Sequence, residues 1–340
     1  MSVAGDLALR GTADRPTRTG FGEILLAVLV FAALAALPQL IEGYVVYILP
    51  QYMLFGVMAM SLGLLWGSCG VLSFGQAGFF ALGGYAIGLV MGREGLPVNP
   101  AYLGILCAAL ACAALAAAIG YFLFSAGVRD SYFVLVTLAL SIMVEQIAVS
   151  QSEITGGWNG MFINRMSLTF PGFELQLTED APIYYLVLAV AALVYLGLRL
   201  LQRARFGKIL VGIRENEPRM EALGYAAPLY KTAAFALSGA IAGLAGALYA
   251  THAGFVAPSL GGVLFSTEVV VWVAVAGRQS LLAAFLGGVL VSSLSNYLSA
   301  IAPSLWQLFM GLLFIAAITF LRGGVAGFLA RLTDRRSAVR

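Results

Sequence analysis

Ten stretches of this sequence are apolar for about the depth of a lipid bilayer, and almost no charge interrupts them. A helix needs about 20 apolar residues to cross the hydrocarbon core. The stretches at 23–41, 44–66, 70–91, 101–125, 130–149, 182–201, 232–250, 264–277, 280–299 and 304–321 meet or approach that length. The eighth is short, and is expected to be tilted, broken or continuous with its neighbour. Of the 340 residues, 61% are apolar and 10% charged, where a soluble domain carries about 25% charged residues. Such a chain cannot cover a water-facing surface. Disordered chains are charged and poor in aromatics, whereas this one is 11% aromatic. The expected fold class is an all-α polytopic integral membrane protein with about ten transmembrane helices.

The basic residues report orientation. Ten spans put both termini on one side. That side then holds Arg10, Arg15 and Arg18 of an N-terminal tail (1–22), Arg129, the seven Lys and Arg of 199–231, Arg278, and the five arginines of a C-terminal tail (322–340). Only Arg93 and Arg165 fall opposite. Lys and Arg are retained on the cytoplasmic side during insertion, so both termini are expected there. The apolar run that continues to Ile41 reads as an uncleaved first span and not as a signal peptide. The membrane domain is then 23–321, with two long polar connections. Residues 150–181, outside, set Glu153, Glu174, Glu179 and Asp180 against Arg165, a net of −3. Residues 199–231, inside, set seven basic residues against Glu215, Glu217 and Glu221, a net of +4. Two halves of five spans would be oppositely oriented, which is the arithmetic of an inverted repeat, although the halves share no convincing sequence match.

The residue inventory excludes several chemistries. No Ser/His/Asp arrangement suggests a catalytic site, and no metal-ligand cluster appears, since His252 is the only histidine. That histidine falls at the outer end of the seventh span, where a solvated interfacial role is expected. Cys69, Cys107 and Cys112 lie in apolar runs, as buried inert thiols do. No contiguous basic face exists for nucleic acid. No Gly-x-x-x-x-Gly-Lys-Ser/Thr loop is present, so an ATPase driving this chain would be another polypeptide. The chain is not expected to be an enzyme or to bind a cofactor.

Four of the polar side chains inside the spans are candidates for more than packing. Ser73 and Gln76 lie among glycines, where they could serve close helix packing or line a pathway at a stretch of irregular helix. Glu145 and Glu268 are the acidic residues well inside spans. Each could bias a pathway toward a solute bearing an amino or amide N–H, or pair with a polar neighbour or lie at a subunit seam. In the inner connection, 206–218 mixes polar and apolar residues as a surface helix does. Asn216 and Pro218 suit a helix start and Gly224 a helix end. Such a capped helix is either a solvated connection or a knob that seats in a groove on another protein. Trp158 in the outer connection could meet a partner or anchor at the interface.

Four motifs together carry a resemblance. Ile213-Arg214-Glu215-Asn216-Glu217 with Ala222-Leu223-Gly224 and Tyr230-Lys231 resembles the cytoplasmic coupling loop of the branched-chain amino acid ABC importer permeases, LivM-type subunits in particular. Gly70-Val71-Leu72-Ser73-Phe74-Gly75-Gln76-Ala77-Gly78 resembles their most distinctive transmembrane stretch. Thr155-Gly156-Gly157-Trp158-Asn159-Gly160 and Ala242-Gly243-Leu244-Ala245-Gly246 resemble two more. Arg219 and Met220 stand where that family usually has two small residues. The resemblance implies a permease in a bacterial inner membrane, forming half of a translocation pathway. Its partners would be a homologous second permease, two ATP-binding subunits holding ATP and Mg, an extracytoplasmic solute-binding protein and membrane lipid. Arg214, Glu215, Asn216, Glu217, Glu221 and Gly224 in the 202–231 loop would couple to the ATPases. Gly156, Gly157, Trp158 and Asn159 would meet the binding protein, whose surface the −3 loop predicts to be partly basic. Ser73, Gln76, Glu145 and Glu268 would line the pathway. Val271-Trp272-Val273-Ala274-Val275-Ala276-Gly277-Arg278 is closer to the form found in urea and short-amide members. Two substrate classes therefore stay open, branched-chain or other hydrophobic amino acids, and urea or short-chain amides. A reading of another class is a self-sufficient proton-coupled transporter with Glu145 or Glu268 as the proton carrier.

Overall fold

The computed structural model describes residues 21–320 apart from 42, 94–98, 129, 171–172 and 177–179. Both expected tails and the turn at Arg129 lie essentially outside the described residues. Thirteen α-helices are present among those described. They are α1 (Phe21–Leu40), α2 (Tyr44–Gly63), α3 (Gln76–Met91), α4 (Pro100–Ser125), α5 (Asp130–Ser150), the single turn α6 (Ser152–Thr155), α7 (Asp180–Arg203), α8 (Arg205–Glu215), α9 (Glu217–Ala222), α10 (Ala227–Ala253), α11 (Val263–Ala276), α12 (Leu281–Ile301) and α13 (Trp306–Phe320). Short strands β1 (Met161–Phe162), β2 (Ser167–Phe170), β3 (Phe173–Gln176) and β4 (Phe255–Val256) occupy the loops after α5 and α10. The chain is a polytopic all-α membrane protein. Seven helices are long and apolar enough to cross a bilayer, and the third, eighth and tenth expected spans appear as shorter apolar helices.

One of those short helices corrects its expected span. The third was expected to be helical over 70–91, yet helix begins only at Gln76. Before it, a π-turn (Leu64–Cys69) prolongs α2, Gly70 reverses the chain at φ +81°, and 70–75 are irregular. The eighth is a short, continuous helix within one residue of its expected bounds. Pro258–Gly261 forms a 3₁₀ turn packed on α3 and α5, and α11 then runs 14 residues, about 21 Å at 1.5 Å per residue.

Two helices, α2 and α10, stand at the centre and touch each other. Each packs against a short helix and a long one: α10 against α3 and α4, α2 against α11 and α12. Glycines set these distances, because only a residue without Cβ lets backbones meet. A Cβ at Gly246 would overlap the Phe80 carbonyl, and one at Gly243 would lie 2.5 Å from Cys112 Sγ. Cys69 and Cys112 are buried as expected, but Cys107 is not. It lies on the face of α4 that also exposes Leu106 and Leu110.

Helix α1 is held on the outside of the bundle at both ends. Pro38 has no N–H for the carbonyl four residues earlier, and Tyr184 Oη of α7 donates to that Leu34 carbonyl at 2.6 Å. At the other end Glu23 accepts from Ser280 Oγ at 3.2 Å and pairs with Arg199 at 3.5 Å. Arg199, Arg214, Lys231 and Arg278 lie at this basic end, whereas Arg165 pairs with Asp180 at 3.3 Å at the far end.

Candidate functional site: a basic hairpin braced on a broken helix

Helices α8 and α9 form a hairpin at the basic end. In α8 the residues at three-residue spacing, Gly207, Leu210 and Ile213, are buried, so this helix lies flat on the bundle. Asn216 takes an extended conformation, which ends α8. Its side chain accepts from Arg219 N at 3.0 Å and caps α9, with Pro218 in the first turn. Gly224, at φ +89°, turns the chain toward α10. No residue of α9 is buried, and Leu223 just after it is 66% exposed. Met220, in the place of a small residue, packs against Gly212, where a Cβ would lie 2.8 Å from Met220 Sδ. The bulk is taken up within the hairpin.

The four consecutive polar residues of this stretch point in different directions. Glu215 and Asn216 are exposed, as are Glu221 and Gly224. Glu217 is half-buried and pairs with the buried Lys231 at 2.5 Å, whose ammonium lies 5.7 Å from the Phe124 ring centroid. Arg214 turns inward. Its Nη1 donates to the Gly67 carbonyl and its Nη2 pairs with Glu215 at 2.7 Å. A cleft of about 380 Å³ separates 213–218 from Cys69, Gly70 and Val71.

Gly67 is also approached from the other half of the chain. The Arg278 carbonyl lies where a Cβ of Gly67 would be, and the Arg278 guanidinium lies 5.7 Å from the Trp66 ring centroid. Both arginines therefore close on the π-turn, an irregularity frequent at functional sites.

Beyond Gly70 the irregular backbone enters the bundle, where each polar group needs a partner. Side chains from α2, α5, α10 and α11 supply them. Phe74 N donates to Thr137 Oγ1 at 3.1 Å and Gly78 N to Ser141 Oγ at 2.8 Å. Ser141 Oγ donates to the Phe74 carbonyl at 3.2 Å and accepts from Ser266 Oγ at 3.1 Å. Ser73 Oγ accepts from Gly75 N at 3.1 Å. Gln76 Nε2 donates to Ser238 Oγ at 2.9 Å, and Gln76 Oε1 accepts from Ser61 Oγ at 3.0 Å. Ser73 and Gln76 are thus buried, partnered members of a polar seam around the break.

The two carboxylates stay outside that seam. Glu145 is half-buried on α5, its oxygens 3.2 Å from where a Cβ of Gly262 would lie. Glu268 is half-buried on α11 and has no hydrogen bond or ion pair among the described residues. Four residues on, Trp272 is fully buried and stacks on Phe55 at 5.3 Å between centroids.

At the far end Thr155 Oγ1 donates to the Gln151 carbonyl at 2.8 Å, and Gly156, Gly157 and Gly160 all have positive φ. That turn projects Trp158, 76% exposed, and leads into β1, which pairs antiparallel with β4 through Met161 and Val256. Phe162 is 84% exposed beside it. His252 is not solvated as expected: it is buried, and its Nε2 donates to the Tyr47 carbonyl at 2.9 Å. Tyr47 lies in the first turn of α2, three residues before Pro50 in the same helix.

Thr137 and Ser141, Ser61 and Ser238, and Gly67 were not singled out from the sequence. The one visible signal was Thr137 and Ser141, two hydroxyls four residues apart on one face of an apolar helix.

The profile of a family described as "Branched-chain amino acid transport system / permease component" matches residues 44–318. The chain is 30% identical to the high-affinity branched-chain amino acid transport system permease protein LivM of Escherichia coli K12, over 78% of this chain and 66% of that protein. It is 28% identical to the probable LivM of Methanocaldococcus jannaschii, over 60% and 66%. It is 30% identical to the autoinducer 2 import system permease protein LsrC of Klebsiella pneumoniae, over 52% of each. The chain spans 66% of the length of the LivM proteins it matches. No solved structure matches it.

Proposed function

Because the chain belongs to the family of branched-chain amino acid transport permease components, we propose that it forms half of the translocation pathway of an ATP-driven importer in a bacterial inner membrane. A homologous permease, two ATP-binding subunits and an extracytoplasmic solute-binding protein complete the assembly. The observation that carries this reading is the α8–α9 hairpin. It is internally capped, braced on the bundle by Arg214 and Lys231, and has no buried residue in α9. A solvated connection needs none of that bracing, whereas a knob seated in a partner's groove does. Glu215, Asn216, Glu221 and Leu223 form the docking face. The basic end is then cytoplasmic, in keeping with its arginines and lysine.

The packing supports alternating access about an inverted repeat. α2 relates to α11 and α12 as α10 relates to α3 and α4, and the two sets run in opposite directions between the basic and far ends. Broken helices at such an interface are where transporters place their solute. Glu268 on α11 and Glu145 beside its start are the pathway carboxylates in this reading. Branched-chain amino acids are the favoured solutes, as the relatives' names suggest. The tryptophan that suggested urea or amides is a packed core residue.

The test is affinity purification through this chain from its host, followed by reconstitution with the binding protein. ATP-binding subunits co-purify, and leucine enters liposomes only with ATP. Leucine uptake by this chain alone, driven by a proton gradient without ATP, would overturn the reading in favour of a secondary transporter. Urea uptake in place of leucine would replace only the solute.

A further inference from the structure

We propose that Arg214 is a positioning residue that transmits movement of the hairpin to the broken third helix, and is not part of the docking face. The proposal rests on the permease reading above and adds the route by which the motor's displacement enters the membrane.

Four observations converge on it. Arg214 sits one residue before the exposed Glu215, with which its Nη2 pairs, yet its Nη1 donates to the Gly67 carbonyl inside the π-turn. Its stem lies over Gly70, where a Cβ would be 2.7 Å from Arg214 Cγ, so the grip spans the last part of the turn. The hairpin that bears Arg214 is stiffened within itself by the Asn216 cap and by Met220 against Gly212, and to α10 by the Glu217–Lys231 pair. The segment it grips is irregular. Residues 70–75 have no helical ladder: Gly70 sits at φ +81°, and Phe74 is held by Thr137 and Ser141 of α5 instead. Past that break the chain is tied again, through Gln76, to Ser61 of α2 and Ser238 of α10. A stiff lever, a grip on the turn, a break in the helix and a stiff load follow one another. Displacing α8 along its axis moves the Gly67–Gly70 turn and re-aims α3.

The experiment uses the whole importer complex in liposomes, with leucine as solute, and reads leucine moved per ATP hydrolysed. Arg214→Met keeps the apolar stem and removes the donors; the ratio is expected to fall about tenfold. Arg214→Lys restores one donor and is expected to recover most of the ratio, which a loss of fold would not do. An unchanged ratio in Arg214→Met overturns the proposal. If that variant does not fold, hydrogen exchange on the wild-type complex decides. On adding a non-hydrolysable ATP analogue, exchange is expected to change in 205–222 and in 67–76 together. A change in 205–222 alone overturns the latch while leaving the permease reading intact. No co-purifying ATPase, or no change in 205–222, overturns the permease reading and the latch with it.

Discussion

Arg214 donates to the Gly67 carbonyl across 147 positions of sequence, and Gly67 in turn receives the backbone of Arg278 on its bare Cα. One glycine is thus the meeting point of the hairpin, the break before α3 and the turn between α11 and α12. A side chain at 67 would have to displace the Arg278 carbonyl. This convergence makes the basic end a single mechanical unit, and the predictions below test its parts and their supports.

Helix contacts made through glycine are intolerant of a methyl group. Gly246→Ala drives a Cβ into the Phe80 carbonyl, and pushing α3 and α10 apart costs about 1–3 kcal/mol or more. Gly197, exposed on α7 with nothing within 4 Å of its Cβ position, is the internal control. There alanine gains about 0.5–1 kcal/mol of helix propensity. Thermal unfolding in detergent should show Gly246→Ala with a lower midpoint and poor yield, and Gly197→Ala at or above the parent.

Ser141 serves three groups at once, the Gly78 N–H, the Phe74 carbonyl and Ser266. Ser141→Ala leaves the buried Gly78 N–H without its acceptor, at a cost of about 1–3 kcal/mol. Ser266→Ala removes one donor and orphans no backbone group, so its penalty is smaller. Unfolding midpoints of the two single variants should separate in that order. Equal midpoints would show that the seam does not hold the break.

In the Glu217–Lys231 pair the two charges are unequally buried, with Lys231 nearly covered and Glu217 partly in solvent. Glu217→Gln strands a buried ammonium, whereas Lys231→Met leaves a carboxylate that water can reach. Breaking a fully buried pair costs about 3–5 kcal/mol. Solvent at Glu217 reduces this, so Glu217→Gln should cost about 1–3 kcal/mol and Lys231→Met less. Limited proteolysis of the hairpin is expected to be faster in Glu217→Gln.

Trp158 and Phe162 project from the far end without supporting the core. Trp158→Ala is expected to leave the unfolding midpoint within about 0.5 kcal/mol of the parent, as surface changes do. If this turn meets the binding protein, half-maximal uptake should require several-fold more of it. A lower midpoint with unchanged uptake would make Trp158 structural.

Much of this architecture was legible in one dimension. Hydrophobic length, the grouping of arginines and the signals around Asn216, Pro218 and Gly224 depend on a residue and its near neighbours. The polytopic helical class and the capped hairpin follow from them. Other features depend on what lies opposite, which one chain read in order does not display. The third span looked continuous because Gly70–Gly75 is as apolar as the helix after it. Only packing against Thr137, Ser141 and Arg214 supplies the partners that let an irregular backbone persist there. His252 looked solvated and Cys107 buried for the same reason: burial is a property of the face a residue occupies, and neighbours far away in sequence set that face. Arg214 and Glu215 are adjacent and equally polar, yet one grips the bundle and the other faces outward. The helical turn of about 100° between them, set against a bundle that only the tertiary structure positions, decided which residue does which.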